Sequence, residues 1–206
     1  MTNKIPTYKK FIMIHALDTP PSWAKGKSIS AIVKEVTRWH VVERGWSAVA
    51  YAKIIGPTGA VGLGRDLDGD GDVWEETGAG AKGWNKDGIH IALAGGKNGN
   101  ADDVFSDHYT PKQEIALLKE LREIERLSGR TIVPVHAPSQ ARTLPPTQIG
   151  IMGHNQVANK ACPCFSVPNW YAGVSKPVKV QQGKPAAGRK KDLWTLILNF
   201  LKGLKR

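Results

Sequence analysis

The chain has 206 residues, of which 41% are hydrophobic and 23% are charged, and its formal net charge is +11. This composition is typical of one globular domain with an appendage, and it excludes a collagen-like, a coiled-coil or a wholly disordered chain. The two cysteines, Cys162 and Cys164, are too few and too close together to form a disulfide framework.

Positive charge is concentrated near the C-terminal end. Residues 176–206 contain nine Lys or Arg and one acid, whereas residues 1–175 contain 20 basic and 17 acidic side chains. A protein that binds nucleic acid along its surface would carry basic residues throughout the body. We therefore expect no nucleic-acid partner, and a nearly neutral body that is followed by a tail with affinity for polyanions.

The chain starts with a basic stretch that lacks the apolar core and cleavage site of a secretory signal peptide. It also contains no apolar run of about 18 residues, the minimum for a membrane-spanning helix. We expect a protein made in a reducing cytoplasm.

Periodicity and turn residues predict the elements of the first half of the chain. These are a buried strand over 11–14 that ends at His15, a helix over 29–39 after the cap Ser28, a hairpin over 49–55 and 60–65, a Gly- and Asp-rich loop over 66–88, and a buried strand over 89–96.

The clearest element of the second half is a helix over 111–128. Thr110 is its expected cap, Gln113 completes a capping box, and Gly129 ends it. Apolar strands are predicted over 131–135 and 149–152, with a proline-rich loop between them. Because strands and helices alternate, the fold class is α/β or α+β with a central sheet.

Three side chains form a possible metal site: His15, His154 and Cys162. Two imidazoles and a thiolate suit Zn²⁺, and three protein ligands leave a fourth position for water, as in catalytic zinc sites. Spacing alone does not separate this hypothesis from incidental packing. The remaining histidines are more typical of packing or surface positions: His40, His90, His108 and His136.

Five segments carry a family resemblance between about residues 11 and 171. They are IMIHALDTPPS, RGWSAVAYAKII, GAGAKGWNKDGIHIALAGG, YTPKQ and GHNQVANKACPCFSVPNW. In this order they resemble the zinc-dependent N-acetylmuramoyl-L-alanine amidases, a family that includes phage endolysins and peptidoglycan-recognition proteins. The KACP box is most similar to the phage branch.

The resemblance implies a mixed central sheet flanked by helices, with one zinc per chain in a surface groove. His15, His154 and Cys162 match the zinc ligands, and Tyr51 and Lys160 match catalytic residues. The implied reaction is hydrolysis of the amide between N-acetylmuramic acid and L-alanine in peptidoglycan. The alternative is a non-catalytic peptidoglycan-binding protein, although such proteins usually lack the cysteine ligand.

Two positions depart from the family pattern. Gly80 stands where many relatives carry a histidine in a G-[SA]-H loop, and Ala52 stands where many carry a histidine after the tyrosine. Neither belongs to the zinc ligands. Separately, Asp66, Asp68 and Asp70 match the first half of a calcium loop, but Thr77 stands at the last ligand position, so a solvated acidic loop is favoured.

The sequence predicts three parts: a catalytic domain over 1–174, a flexible basic linker over 175–192 and a cationic amphipathic helix over 193–206. We expect the helix to bind anionic lipid or lipopolysaccharide; the alternative is a helix docked on the body. Its membrane-binding residues would be Lys190, Lys191, Leu193, Trp194, Ile197, Phe200, Leu201, Lys202, Leu204, Lys205 and Arg206. We expect a monomer that reaches periplasmic peptidoglycan after the inner membrane opens.

Overall fold

The computed structural model describes residues 4–175. The predicted helix over 193–206, and the linker before it from residue 176 onward, lie outside the described residues. The chain divides into two units, Met1–Ala172 and Gly173–Arg206. All six strands of the sheet belong to the first unit.

A single six-stranded sheet forms the centre of the first unit. Its strands are β1 (Phe11–Ala16), β2 (Lys53–Ile55), β3 (Val61–Leu63), β4 (Gly88–Leu93), β5 (Thr131–Pro134) and β6 (Gln148–Gly153). They lie in the order β3-β2-β4-β1-β6-β5, with β2 and β3 antiparallel and every other neighbouring pair parallel. The expected α/β class with a mixed central sheet is confirmed.

Four α-helices accompany the sheet in the described part of the chain: α1 (Ile29–Thr37), α2 (Phe105–His108), α3 (Pro111–Ser128) and α4 (Val167–Val174). A π-helical turn, Arg38–Glu43, prolongs α1, and two 3-10 turns lie at Pro138–Arg142 and His154–Gln156. None of the helices within residues 4–175 is long and apolar enough to cross a membrane.

Local capping explains where α1 and α3 begin and end. Ser28 Oγ accepts a hydrogen bond from the Ala31 N–H at 3.2 Å. Thr110 Oγ1 accepts from the Gln113 N–H, and Gln113 Oε1 accepts from the Thr110 N–H, which is a reciprocal capping box. Gly129, with φ of 65°, ends α3 in the left-handed conformation that glycine adopts without strain. The predicted bounds of α3 are confirmed.

Two apolar clusters pack against the sheet. One contains Ile32 and Val36 of α1 together with Ile54 and Ala92 of the strands. The other is built around buried residues that include Phe11, Met13, Ala81, Val135 and Met152. Alternate residues of a strand face the same side, so His15 lies on the side of Phe11 and Met13. The sheet therefore directs His15 toward the side where the second cluster packs.

The predicted hairpin and the strand after it are wrong in extent. The first hairpin strand covers Lys53–Ile55 rather than 49–55, because Ala50 and Tyr51 use their carbonyls to hold the following loops, through Ala79 N–H at 3.0 Å and Arg65 N–H at 2.8 Å. Strand β4 ends at Leu93 rather than 96, since Gly95 and Gly96 have φ of 143° and 82°.

Candidate metal centre

The site lies where the carboxyl ends of the parallel strands meet. Ile14 of β1 is paired with Gly153 of β6, so His15 and His154, the next residues along the chain, reach the same edge of the sheet. Ligands of open α/β sheets bind in the crevice at this edge. Residue 154 also opens the 3-10 turn after β6, which releases its side chain from the sheet.

His15, His154 and Cys162 come together at this edge. One ligand atom from each lies within 4.8 Å of the others, and the group could hold a metal ion. The Cys162 Sγ is 3.9 Å from His15 Nδ1, and the two imidazole centroids are 4.7 Å apart. Tetrahedral zinc, with Zn–N of about 2.0 Å and Zn–S of about 2.3 Å, requires similar separations between donors.

Backbone contacts place the cysteine. The Ala16 N–H, one residue after His15, donates to Cys162 Sγ at 3.1 Å. The Asn155 N–H, one residue after His154, donates to the Cys162 carbonyl at 2.6 Å. Each histidine is therefore followed by a residue that holds the cysteine, which ties the three side chains into one local unit.

Burial sets the ionisation of the three side chains. It raises the pKa of the Cys162 thiol to about 12, opposed by the Ala16 N–H. Burial, supplemented by the nearby Lys160 ammonium, lowers the pKa of His154 to about 4. The pKa of His15 falls well below its usual value, chiefly because of burial. Both imidazoles are thus neutral at pH 7, the form that binds metals.

Tyr51 lies beside the histidines, with its ring centroid 5.1 Å from that of His15. Burial, followed by the charge of Cys162, raises the pKa of its hydroxyl, which therefore keeps its proton at neutral pH. Its carbonyl accepts from the Arg65 N–H at 2.8 Å. A Cβ at Gly64 would collide with this carbonyl oxygen, so glycine is needed for the close approach.

Lys160 is exposed and lines the same groove as Tyr51, His154 and Cys162. This groove has a volume of about 780 Å³. Its walls include two features that the sequence interpretation did not assign, Arg44 and Trp46. Arg44 packs over the Trp46 ring at 5.4 Å, so the groove carries positive charge from Arg44 as well as from Lys160.

Sequence reasoning also missed a contact of His90. Its Nδ1 is 2.9 Å from Nε2 of His15, on the ring edge that faces away from Cys162. The available signal was a polar residue inside the otherwise apolar strand GIHIAL. His40 also lines the groove, with its ring centroid 5.6 Å from that of Tyr51, and its Nδ1 accepts from the Ala50 N–H. His108 pairs with Asp103, and His136 is exposed.

The acidic loop brings Asp66, Asp68 and Asp70 within 4.8 Å of one another. Two of the three are exposed, and their carboxylates accept from backbone N–H groups of the same loop. These local hydrogen bonds account for the geometry without an ion.

The chain is similar to phage endolysins. It is 31% identical to the endolysin of Escherichia phage T7 over 160 residues, which cover 78% of this chain and 83% of that protein. It is 32% identical to the endolysin of Enterobacteria phage K11 over 140 residues, which cover 67% of this chain and 73% of that protein. No protein-family model matches the chain.

Solved structures share its fold. Bumblebee PGRP-SA superposes with a TM-score of 0.54 at 18% identity, covering 84% of this chain and 86% of that chain. The N-acetylmuramoyl-L-alanine amidase LysC from Clostridium intestinale superposes with a TM-score of 0.50 at 20% identity, covering 85% of this chain and 89% of that chain. At these identities the likeness concerns the fold.

Proposed function

The chain belongs to the phage endolysin family of type 2 amidases, and we propose that it hydrolyses the amide bond between N-acetylmuramic acid and L-alanine in peptidoglycan. One observation carries this proposal: the ligand atoms of His15, His154 and Cys162 lie within 4.8 Å of one another, and His154 and Cys162 line a groove that also contains Tyr51 and Lys160. A groove open to solvent gives a polymeric substrate access to these side chains.

We infer that the metal is Zn²⁺, one per chain. The donor set fits, because two neutral imidazoles and one sulfur are ligands that zinc prefers, and three protein ligands leave a position open. When bound there, zinc supplies an activated water and polarises the substrate carbonyl. The thiol of Cys162 must lose its proton to bind, and the Ala16 N–H favours that loss.

Tyr51 and Lys160 supply two different electrostatic groups. The Tyr51 hydroxyl retains its proton, since burial raises its pKa, and it can donate a hydrogen bond to an oxygen that gains negative charge. Lys160 places an ammonium group at the same groove, where it can stabilise an oxyanion. The groove wall thus holds a donor and a positive charge ready for a tetrahedral transition state.

A purely binding role is the alternative, and the complete ligand set argues against it. A protein that only holds peptidoglycan has no need for a partly buried cysteine beside two neutral histidines. Retention of Cys162, Tyr51 and Lys160 together favours catalysis.

We also propose that residues 176–206 bind an anionic lipid or lipopolysaccharide surface, and that the enzyme reaches the wall after the inner membrane opens. The support is the composition of that segment, nine basic residues and one acid with interspersed leucines and aromatics. Basic amphipathic segments associate with anionic surfaces through apolar burial and charge.

Product analysis tests the proposed reaction. Purified peptidoglycan is digested with the full chain, and the products are examined by mass spectrometry and amino-terminal analysis. We expect new free L-alanine amino termini and glycan strands of unchanged length. New reducing sugar ends, or cleavage only at peptide cross-links, would contradict an amidase. Digestion with the Cys162→Ser variant is the matched control.

A further inference from the structure

His90 is a buried polar side chain that the proposed reaction does not use. It lies in β4 directly opposite Met13 of β1, two residues before the pair of His15 and Ala92. Side chains of such neighbours point to the same face of a parallel sheet, so His90 and His15 are diagonal neighbours. Their facing nitrogens, Nδ1 of His90 and Nε2 of His15, are 2.9 Å apart.

The hydrogen bonds at this pair determine which nitrogens carry hydrogen. Nε2 of His90 is 3.2 Å from the carbonyl oxygen of Trp84, which can only accept. This nitrogen must therefore be the donor, and in a neutral ring the Nδ1 of His90 is left as an acceptor. It accepts from Nε2–H of His15, so Nδ1 of His15 keeps its lone pair.

That lone pair is on the side where metal would bind. Nδ1 of His15 is the nitrogen that approaches Cys162 Sγ, at 3.9 Å. We propose that His90 is a positioning residue of the metal centre, which holds His15 in the Nε2–H tautomer and presents its Nδ1 to the metal. The inference rests on the proposed function and adds a residue that supports a ligand without touching the metal.

Three glycines leave the space that the His90 ring fills. An added Cβ at Gly78 would lie 2.6 Å from His90 Cδ2, and one at Gly88 would lie 2.9 Å from Nε2. A Cβ at Gly80 would lie 2.9 Å from His90 Nδ1 and 3.0 Å from His15 Cε1. Any side chain at these positions would displace a ring of the pair.

This packing also accounts for the glycine at position 80, because an added Cβ there would approach both rings of the pair. A histidine at position 80 and the ring of His90 would compete for the same space beside His15.

Two variants of similar size separate positioning from packing. His90→Asn keeps a carbonyl oxygen near the position of Nδ1. The leucine of His90→Leu has nearly the same shape as that asparagine but no hydrogen-bond acceptor. Zinc affinity of the full chain is measured by competition with a chromophoric chelator. We expect His90→Leu to weaken zinc binding by roughly 10–100-fold, the usual effect of removing the hydrogen-bond partner of a metal-binding histidine. The zinc affinity of His90→Asn should stay within about threefold of wild type. His108→Leu, which removes a histidine paired with Asp103, should leave affinity unchanged.

Equal affinities for the Asn and Leu variants, with zinc bound normally by wild type, would overturn the positioning role and leave the proposed function intact. A wild-type chain that binds no zinc would overturn both. Nitrogen-15 NMR of the histidine rings needs no variant: we expect His15 to carry its hydrogen on Nε2, and a hydrogen on Nδ1 in the metal-free protein would refute the inference even if the Leu variant failed to fold.

Discussion

Among the three proposed metal ligands, Cys162 is the one whose protonation would change most when a metal binds. Burial raises the pKa of its thiol to about 12, whereas the pKa of His154 is about 4, so one proton must leave when zinc binds at neutral pH. Between about pH 6 and 8 the apparent zinc affinity of the wild-type chain should therefore rise about tenfold per pH unit.

The Cys162→Ser variant should lose this slope and weaken zinc binding by at least about a hundredfold, because two imidazoles and a hydroxyl remain. Calorimetric or chelator titrations at several pH values measure both quantities. Stoichiometric, tight and pH-independent zinc binding by wild type would show that Cys162 is not a ligand.

Tyr51 and Lys160 should affect catalysis without affecting the metal. Tyr51→Phe and Lys160→Ala are each expected to keep one zinc and to slow peptidoglycan hydrolysis roughly 10²–10³-fold, the scale for losing one acid–base or oxyanion group. Zinc content by mass spectrometry and rates on purified peptidoglycan are measured together. Wild-type rates in either variant would remove that residue from the proposed mechanism.

The sequence predicts the location of some residues of the candidate site but not of others. His15 and Cys162 could be predicted, since one ends an apolar run and the other lies in a distinctive motif. The contact of His90 could not, because the run GIHIAL indicates only burial. The pairing of β1 with β4 determines that His15 faces His90. These two histidines are 75 residues apart, and no local sequence signal specifies the register of strands that distant.

Among the elements, helix α3 is held to the sheet by a buried amide as well as by its apolar stripe. Gln113 Nε2 donates to the carbonyls of Ile55 and Ala94, at 3.2 and 2.9 Å, while its Oε1 accepts from Thr110. One side chain thus joins the start of α3 to the ends of β2 and β4, next to the edge where the candidate metal centre lies.

Gln113→Leu should lower the free energy of unfolding by about 2–3 kcal/mol, since buried backbone groups lose their partner. Urea denaturation of the full chain measures this change. Lys112→Leu, on the exposed side one residue earlier, is the control and should change stability by less than about 0.5 kcal/mol. A Gln113→Leu protein as stable as wild type would show that the amide contributes nothing net.

Helices α1 and α3 could be predicted because their N-terminal caps are local, whereas α2 and α4 could not. Helix α4 depends on tertiary packing: Trp170 stacks on Phe105 with centroids 5.5 Å apart, and its Nε1–H donates to Glu114 at 2.8 Å. Partners more than 50 residues away cannot be read from a local pattern. The same holds for the shortened strands at β2 and β4, which loops and glycines define.

At the scale of the whole molecule, charge separates the body from the last residues. The segment 176–206 holds +8 of the net charge of +11, while the residues of the candidate site all lie at or before Cys162. Binding to an anionic surface and hydrolysis are therefore expected to depend on different parts of the chain.

A chain that ends at Ser175 should hydrolyse purified peptidoglycan at nearly the wild-type rate. It should lose binding to anionic vesicles, where each lysine contributes about 1 kcal/mol, and the binding of the full chain should weaken as salt rises. Vesicle co-sedimentation, with neutral vesicles as the control, measures this. Undiminished vesicle binding by the shortened chain, or loss of its zinc and its hydrolysis, would contradict the assignment of surface binding and catalysis to different parts of the chain.

We propose that zinc bound by His15, His154 and Cys162 makes this chain an amidase. The most direct measurement adds zinc stepwise to metal-free full chain and counts new L-alanine amino termini released from purified peptidoglycan. We expect negligible release without metal and a rise that reaches its plateau at one equivalent of zinc per chain. Full release before zinc is added, or no L-alanine termini at any zinc concentration, would show that this chain is not a zinc-dependent amidase.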